Sequence, residues 1–183
     1  MIVFLDFEAS SLGKHGFPIE VGWAAEDGTS EGHLIRPAPG WQEWSKAAEE
    51  VHGMALAHLP REGEPHDAVA ARMVEALSGH ELYASAPSWD GHWLSLLLRA
   101  SGFTRRTLRL RGTDEAHRSA ATGILHSAGI PADEQPALVE EIIVAARDAL
   151  DAIAPAHRAV DDARRELHLW QEVRRRAELL RAR

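Results

Sequence analysis

The sequence predicts an α/β fold: a mixed β-sheet flanked by helices, in a single domain spanning residues 1–183. Strand-like segments fill the first third of the chain, and strand and helix patterns alternate after it. With 183 residues, 45% apolar and 26% charged, the chain can bury one full core without covalent staples. No repeat, low-complexity tract or linker divides it.

Met1 to Phe7 is a short apolar run with β-branched and aromatic members, the pattern of a buried strand. Ser10 to Phe17 carries two glycines among polar residues and reads as a loop. Pro18 to Ala25 is a second strand, Asp27-Gly28 a hairpin-type turn, and Glu31 to Arg36 the returning strand, stopped by Pro37 and Pro39. Helical spacing begins at Ser45 to Val51 and returns in Pro65 to Leu77, where Val69, Met73, Val74 and Leu77 share a face. Glu81 to Ala86 is a short strand. Trp89 to Ser101 is a helix that Gly102 terminates, and Thr107 to Leu110 is the last strand. Pro136 to Ala154 and Ala159 to Arg181 are two further helices separated by Pro155. The last carries an apolar stripe from Val160 through Leu167 and Trp170 to Leu180.

Composition closes off several functions. There is no cysteine, which excludes disulfide frameworks, thiolate metal sites and thiol nucleophiles. No run approaches the ~18 uninterrupted apolar residues of a membrane span, and no secretory leader is visible, so a cytoplasmic enzyme or binding domain with no membrane partner is expected. The formal charge is −8, yet the basic residues are clustered: Arg99, Arg105, Arg106, Arg109 and Arg111 lie in a stretch without any acid. Local basic rims around an acidic centre are compatible with that balance.

Chemistry concentrates in three places. Asp6 and Glu8, in F-L-D-F-E-A-S, are two residues apart and share one face of a strand. Close carboxylates repel unless protonated or bridged by a cation, and hard divalent ions favour such oxygen donors. The plain alternative is a pair of surface acids at a strand end. Asp90 opens a helix in S-W-D-G-H-W-L, where an acid ordinarily caps or meets the helix dipole. In H-R-A-V-D-D-A, His157 stands five residues before Asp162, at the entry to the last helix. From a preceding loop that imidazole reaches the same centre as Asp162 and serves as a proton acceptor near neutral pH. A solvated helix entry is the competing reading.

Taken together, D-F-E after a leading strand, Asp90 before W-L-x-x-L-L, and H-R-A-V-D-D-A resemble, in order and spacing, the three motifs of the DEDDh 3′–5′ exonucleases. S-S-L-G after the first motif, F-P-I-E-V-G-W, and the segment ending in H-G-M agree with that family's pattern. The resemblance spans roughly Ile2 to Trp170, is closest to the RNase T-like members, and leaves 105–155 unaligned.

The resemblance implies an RNase H-like fold and a single exonuclease domain. It further implies that Asp6, Glu8, Asp90 and Asp162 hold two Mg²⁺ or Mn²⁺ ions, with His157 as general base. Four carboxylates balance two divalent ions, which offset charge on the attacking and leaving oxygens of a phosphodiester. Asp161 competes with Asp162, but helical neighbours diverge by about 100°, and the family's His-to-Asp spacing selects Asp162. Ser10, Ser11 and Leu12 would contact the 3′-terminal nucleotide, with His52 and Met54 against its base; Met54 reads equally well as core. Trp41, Trp44 and Trp89 are stacking candidates, whereas Trp23, Trp93 and Trp170 belong to apolar faces, and Glu20 reads as structural.

The function expected is hydrolysis of single-stranded nucleic acid from 3′ ends to nucleoside 5′-monophosphates, with a mild lean to RNA and short oligonucleotides. The resemblance leaves room for a homodimer. Two other classes stay open. A binding module that lost turnover would bind oligonucleotides without metal-dependent product. A small-molecule phosphoesterase would cleave mononucleotide esters and spare oligonucleotides.

Overall fold

The computed structural model describes residues 1–150 and 156–181. Its framework is one six-stranded sheet. The strands are β1 (Ile2–Ala9), β2 (Pro18–Ala25), β3 (Ser30–Arg36), β4 (Glu64–Pro65), β5 (Glu81–Ala84) and β6 (Leu110–Gly112), in the order β4-β3-β2-β1-β5-β6. The expected meander is present: β1 pairs antiparallel with β2 and β2 with β3, while β5 and β6 extend the sheet in parallel from β1. Parallel pairing beside β1 needs crossovers, and the helices supply them.

The alternation of β1 divides its side chains between two cores. Val3, Leu5 and Phe7, with Val21 and Trp23 of β2, face α3 (His66–Leu77) and α4 (Pro87–Ala100). Trp93, Leu94, Leu97 and Leu98 are the buried stripe of α4, as their spacing predicts. Phe4 and Ala24 face the other way, onto α7 (Ala159–Arg181) and Ala116 of α5 (Thr113–Ser127). Beyond the sheet edge, the distal half of α7 packs with α5 and α6 (Gln135–Leu150) around Leu125, Ile142, Ile143 and Val173.

Differences from the expected elements have local causes. The last strand falls at 110–112 and not at 107–110, because Thr107 N–H donates to Thr104 O at 3.1 Å and closes a turn there. Helix α5 has no counterpart in the sequence reading; its buried face is Ala116, His117, Ala121 and Leu125, too thin in large apolar residues to register as a stripe. The single-turn α2 (Leu59–Glu62) and two-residue β4 are held by tertiary contact with β3 and carry no pattern of their own. Ser45 caps α1 (Lys46–His52), its side chain accepting the Ala48 amide. The sixth helix is described as far as Leu150; its expected continuation to Ala154 and the break at Pro155 lie outside the described residues.

Candidate metal centre and nucleotide cavity

Asp6 and Glu8 occupy the last turns of the β1 pleat on the face turned toward α7, the face of Phe4. The ladder to β2 pairs Asp6 with Gly22 and Glu8 with Glu20, then shifts register between Glu8 and Ala9. A bulge at that point ends the regular strand beside the acids. Asp90 comes from the crossover after β5, in the first turn of α4. Its Oδ2 accepts the Ala86 amide at 3.3 Å, as helix-entry acids do, and it is only 3% exposed.

The third contribution depends on how α7 meets the sheet. His157 precedes α7 with φ of 53°, a left-handed conformation that costs a non-glycine residue energy. Glu20, buried on β2, holds this corner. Its Oε1 accepts from Arg158 Nη2 at 2.6 Å, and its Oε2 accepts the Ala159 amide at 3.0 Å. Ala156 N–H donates to Asp162 Oδ1 at 3.1 Å and folds the entry loop back over the first turn. Glu8, His157 and Asp162 thereby each place a donor atom within 4.8 Å of the others. Asp161 points away and pairs with Arg164 at 3.0 Å, as helical divergence requires.

Gly22 shapes this corner and is a residue that sequence reasoning missed. A Cβ at Gly22 would lie 2.1 Å from the Val160 backbone nitrogen, so only glycine lets the start of α7 sit this close to β2. The glycine in P-I-E-V-G-W is a visible signal, since glycine inside a strand marks close backbone approach. Glu166 was also missed. One helical turn past Asp162, it faces the same side of α7, and its negative charge adds to that on Asp6 and Asp90.

The electrostatics are those of a cluster that resists full ionisation. Burial, followed by the charges of Asp90, Glu8, Asp162 and Glu166, pushes the Asp6 carboxyl up to about 9. Burial and the neighbouring Asp162 and Glu20 raise Glu8 to about 7, with Arg158 opposing. Asp90 is likewise raised to about 7 by burial, although the Ala86 and Phe7 amides favour its ionised form. Burial raises Glu166 too. Carboxylates so arranged fit divalent cations: oxygen donors, a shared cavity and a charge deficit that cations would cancel.

A cavity of about 510 Å³ opens over these acids, with Asp6, Glu8 and Asp90 on its floor and Leu12, Val51 and Trp89 on its walls. Those three wall residues are exposed, at 68%, 54% and 45%. His52, almost buried, also lines it; its Nδ1 accepts the Met54 amide at 3.1 Å, and its Nε2 has no partner among the described residues. Burial lowers its pKa. Ser11 lines the cavity with its hydroxyl bonded to Glu43. Ser10 and Met54 stand apart from it. The Ser10 hydroxyl accepts the Phe17 amide at 3.0 Å within the loop, and Met54 packs on the Phe17, Ile19 and Leu59 cluster. Trp41 stacks on Phe17 and Trp44 packs against His52, whereas Trp23, Trp93 and Trp170 are core.

No protein-family model matches the chain, and no curated protein does. Solved structures do. The zinc-ion-bound form of the E. coli ExoI–ssDNA complex aligns with a TM-score of 0.67 at 16% identity over 96% of this chain and 40% of that one. A product-bound structure of exonuclease I aligns at 0.54 and 14% identity over 65% of this chain and 31% of the other. E. coli exonuclease I in complex with a dA16 oligonucleotide gives 0.54 and 14% identity over 66% and 29%. This chain thus spans less than half the length of the proteins it resembles. The architecture is the RNase H-like exonuclease fold, the class that the strand order and flanking helices define.

Proposed function

We propose that the protein is a DEDDh-type 3′–5′ exonuclease, which takes single-stranded nucleic acid and releases nucleoside 5′-monophosphates. The observation that supports it most is two groupings that share Glu8: donor atoms of Glu8, His157 and Asp162 lie within 4.8 Å of one another, and Asp6, Glu8 and Asp90 line one cavity with apolar walls. Asp6, Glu8, Asp90 and Asp162 would hold two Mg²⁺ or Mn²⁺ ions, which when bound supply charge neutralisation and orientation for phosphodiester hydrolysis.

The chain's own residues divide the remaining work. His157, exposed beside Glu8 and Asp162, accepts the proton of the attacking water. The Glu20–Arg158 pair and the Ala159 amide bond fix the corner from which the imidazole projects. Leu12, Val51 and Trp89 receive the terminal base and sugar, Trp89 offering an exposed ring that stacks on Trp93 at 6.0 Å between centroids. Solved neighbours carry ssDNA and dA16, which draws the substrate reading toward DNA and away from the RNA lean of the sequence. The cytoplasm is the proposed location, and no helix among the described residues is long and apolar enough to cross a membrane.

The decisive test digests a 5′-labelled single strand with Mg²⁺, with Mn²⁺ and with chelator. A metal-dependent ladder that shortens from the 3′ end and is lost in Asp6→Ala and Asp162→Ala is expected. Full activity in either variant refutes the assignment.

A further inference from the structure

The groove that starts one residue past Asp90 is separate from the cavity over the acids. It has a volume of about 510 Å³ and lies between the Gly91, Leu94 and Ser95 face of α4 and the Arg105, Arg106 and Arg109 side chains of the following loop. On the helix, Trp89, Asp90 and Trp93 turn toward the nucleotide cavity, while Gly91 and Ser95 lie round the helix from them, so α4 forms a wall common to both. The helix does not narrow the groove at Gly91, where an added Cβ would meet nothing within 4 Å.

The loop is built to present these arginines. Thr107 N–H donates to Thr104 O at 3.1 Å, which puts Arg105 and Arg106 at the two central positions of a tight turn. Leu108, 5% exposed, and Phe103 anchor the loop to the core beneath α4. All three arginines are exposed, and among the described residues none has a carboxylate partner. Eight other arginines, including Arg72, Arg118, Arg147 and Arg158, are tied to acids. Among the described residues no acid lines the groove. A row of uncommitted guanidiniums in a protein of net charge −8 is a local reversal of the surface field.

The geometry points to this groove as a seat for the sugar-phosphate backbone of the strand, upstream of the 3′-terminal nucleotide. Guanidinium forks suit phosphate oxygens, which every nucleotide of a strand presents alike. The inference rests on the exonuclease reading for what occupies the neighbouring cavity, but the binding it describes needs no hydrolysis.

The test replaces Arg105, Arg106 and Arg109 together by alanine. Affinity for a 5′-fluorescein-labelled oligothymidylate is read by anisotropy in EDTA across a salt series. Each phosphate contact to a single strand contributes about 0.7 to the log–log salt slope, so the slope falls by about 2 and low-salt affinity by roughly tenfold. Hydrolysis of the p-nitrophenyl ester of thymidine 5′-monophosphate stays at the parent rate, and an unchanged thermal melt shows that the variant is folded. The corresponding triple lysine variant keeps most of the slope. Unaltered slope and affinity in the folded alanine variant overturn the inference. Should the parent hydrolyse neither substrate yet show the arginine-dependent slope, the exonuclease reading fails and this one stands.

Discussion

Replacing Asp6 by Asn should stabilise the metal-free protein, and the size of the gain follows from the site. Its carboxyl is raised from an ordinary 3.8 to about 9, chiefly by burial and then by four neighbouring acids. At pH 7 the native group is therefore protonated while its unfolded counterpart is ionised, so folding must take up a proton. The cost is absent below about pH 4, where both states are protonated, and grows as pH rises toward 9. Some three pH units separate 3.8 from neutrality, which at about 1.36 kcal/mol each sets a ceiling of about 4 kcal/mol. Partial contact with water and shared protonation among the acids reduce the observable part to about 2 kcal/mol. For a domain of this size that raises Tm by roughly 4–8 °C. The assay is thermal unfolding of parent and variant in EDTA between pH 5 and 9. The parent should lose stability with rising pH, and the variant should lose less of it. Adding Mg²⁺ or Mn²⁺ should raise the Tm of the parent at pH 8 by more than that of Asp6→Asn, because the variant keeps an oxygen there but loses the negative charge that draws the cation. A variant that melts at or below the parent in EDTA at pH 8, with an undiminished response to metal, refutes the charge-cluster reasoning.

Further outcomes concern the placement of the site. Gly22→Ala collides with the Val160 backbone and should cost roughly 1–3 kcal/mol in chemical denaturation; nuclease assay should show at least a tenfold loss as Asp162 moves from Glu8. Glu20→Gln removes the buried charge paired with Arg158 and leaves one oxygen where Arg158 and the Ala159 amide now use two; it should lower kcat more than it raises KM, since it displaces His157 and not the cavity over the acids. Asp161→Asn, on the exposed side of α7, should keep full activity and shift stability by less than about 0.5 kcal/mol, while Asp162→Asn should abolish turnover. Trp93→Ala empties a core position that is 2% exposed and should cost roughly 3–5 kcal/mol by denaturant unfolding.

Local signals account for which parts of the chain were readable. β2 and α7 were legible to the residue because their patterns are complete within one segment: eight buried positions in P-I-E-V-G-W-A-A and a seven-residue apolar stripe after Ala159. The positions of the four proposed ligand acids could be read from the sequence because Asp6 and Glu8 alternate along a strand, while Asp90 and Asp162 open helices. Helix α5 was not, since its buried face relies on alanines and His117, a histidine whose ring nitrogens both lack partners among the described residues and whose pKa burial lowers to about 4. Small residues become informative only when the packing partners are known, and besides α6 these are α7 and the strands β5 and β6. The same applies to Gly22, whose meaning is a distance to Val160, 138 positions later.

That distance links the fold to the chemistry. Three of the five proposed site residues, Asp6, Glu8 and Asp90, are positioned by the sheet and its first crossover, while His157 and Asp162 belong to the entry and first turn of α7, after the 113–150 excursion. Nothing in the local sequence of α7 fixes where its first turn lands. Three features of β2 and β3 do: the Glu20 carboxylate that takes the Arg158 side chain and the Ala159 amide, and the absent Cβ atoms of Gly22 and Gly32. Strand β2 thus contributes no group to the proposed reaction, yet it decides whether the second half of the site meets the first. If so, damage at Gly22 and Glu20 should be non-additive: the double variant should lose little more activity than Gly22→Ala alone, because both act on one movement of one helix. Full multiplication of the two losses would show that the strand acts through two independent routes and that α7 does not dock as a unit.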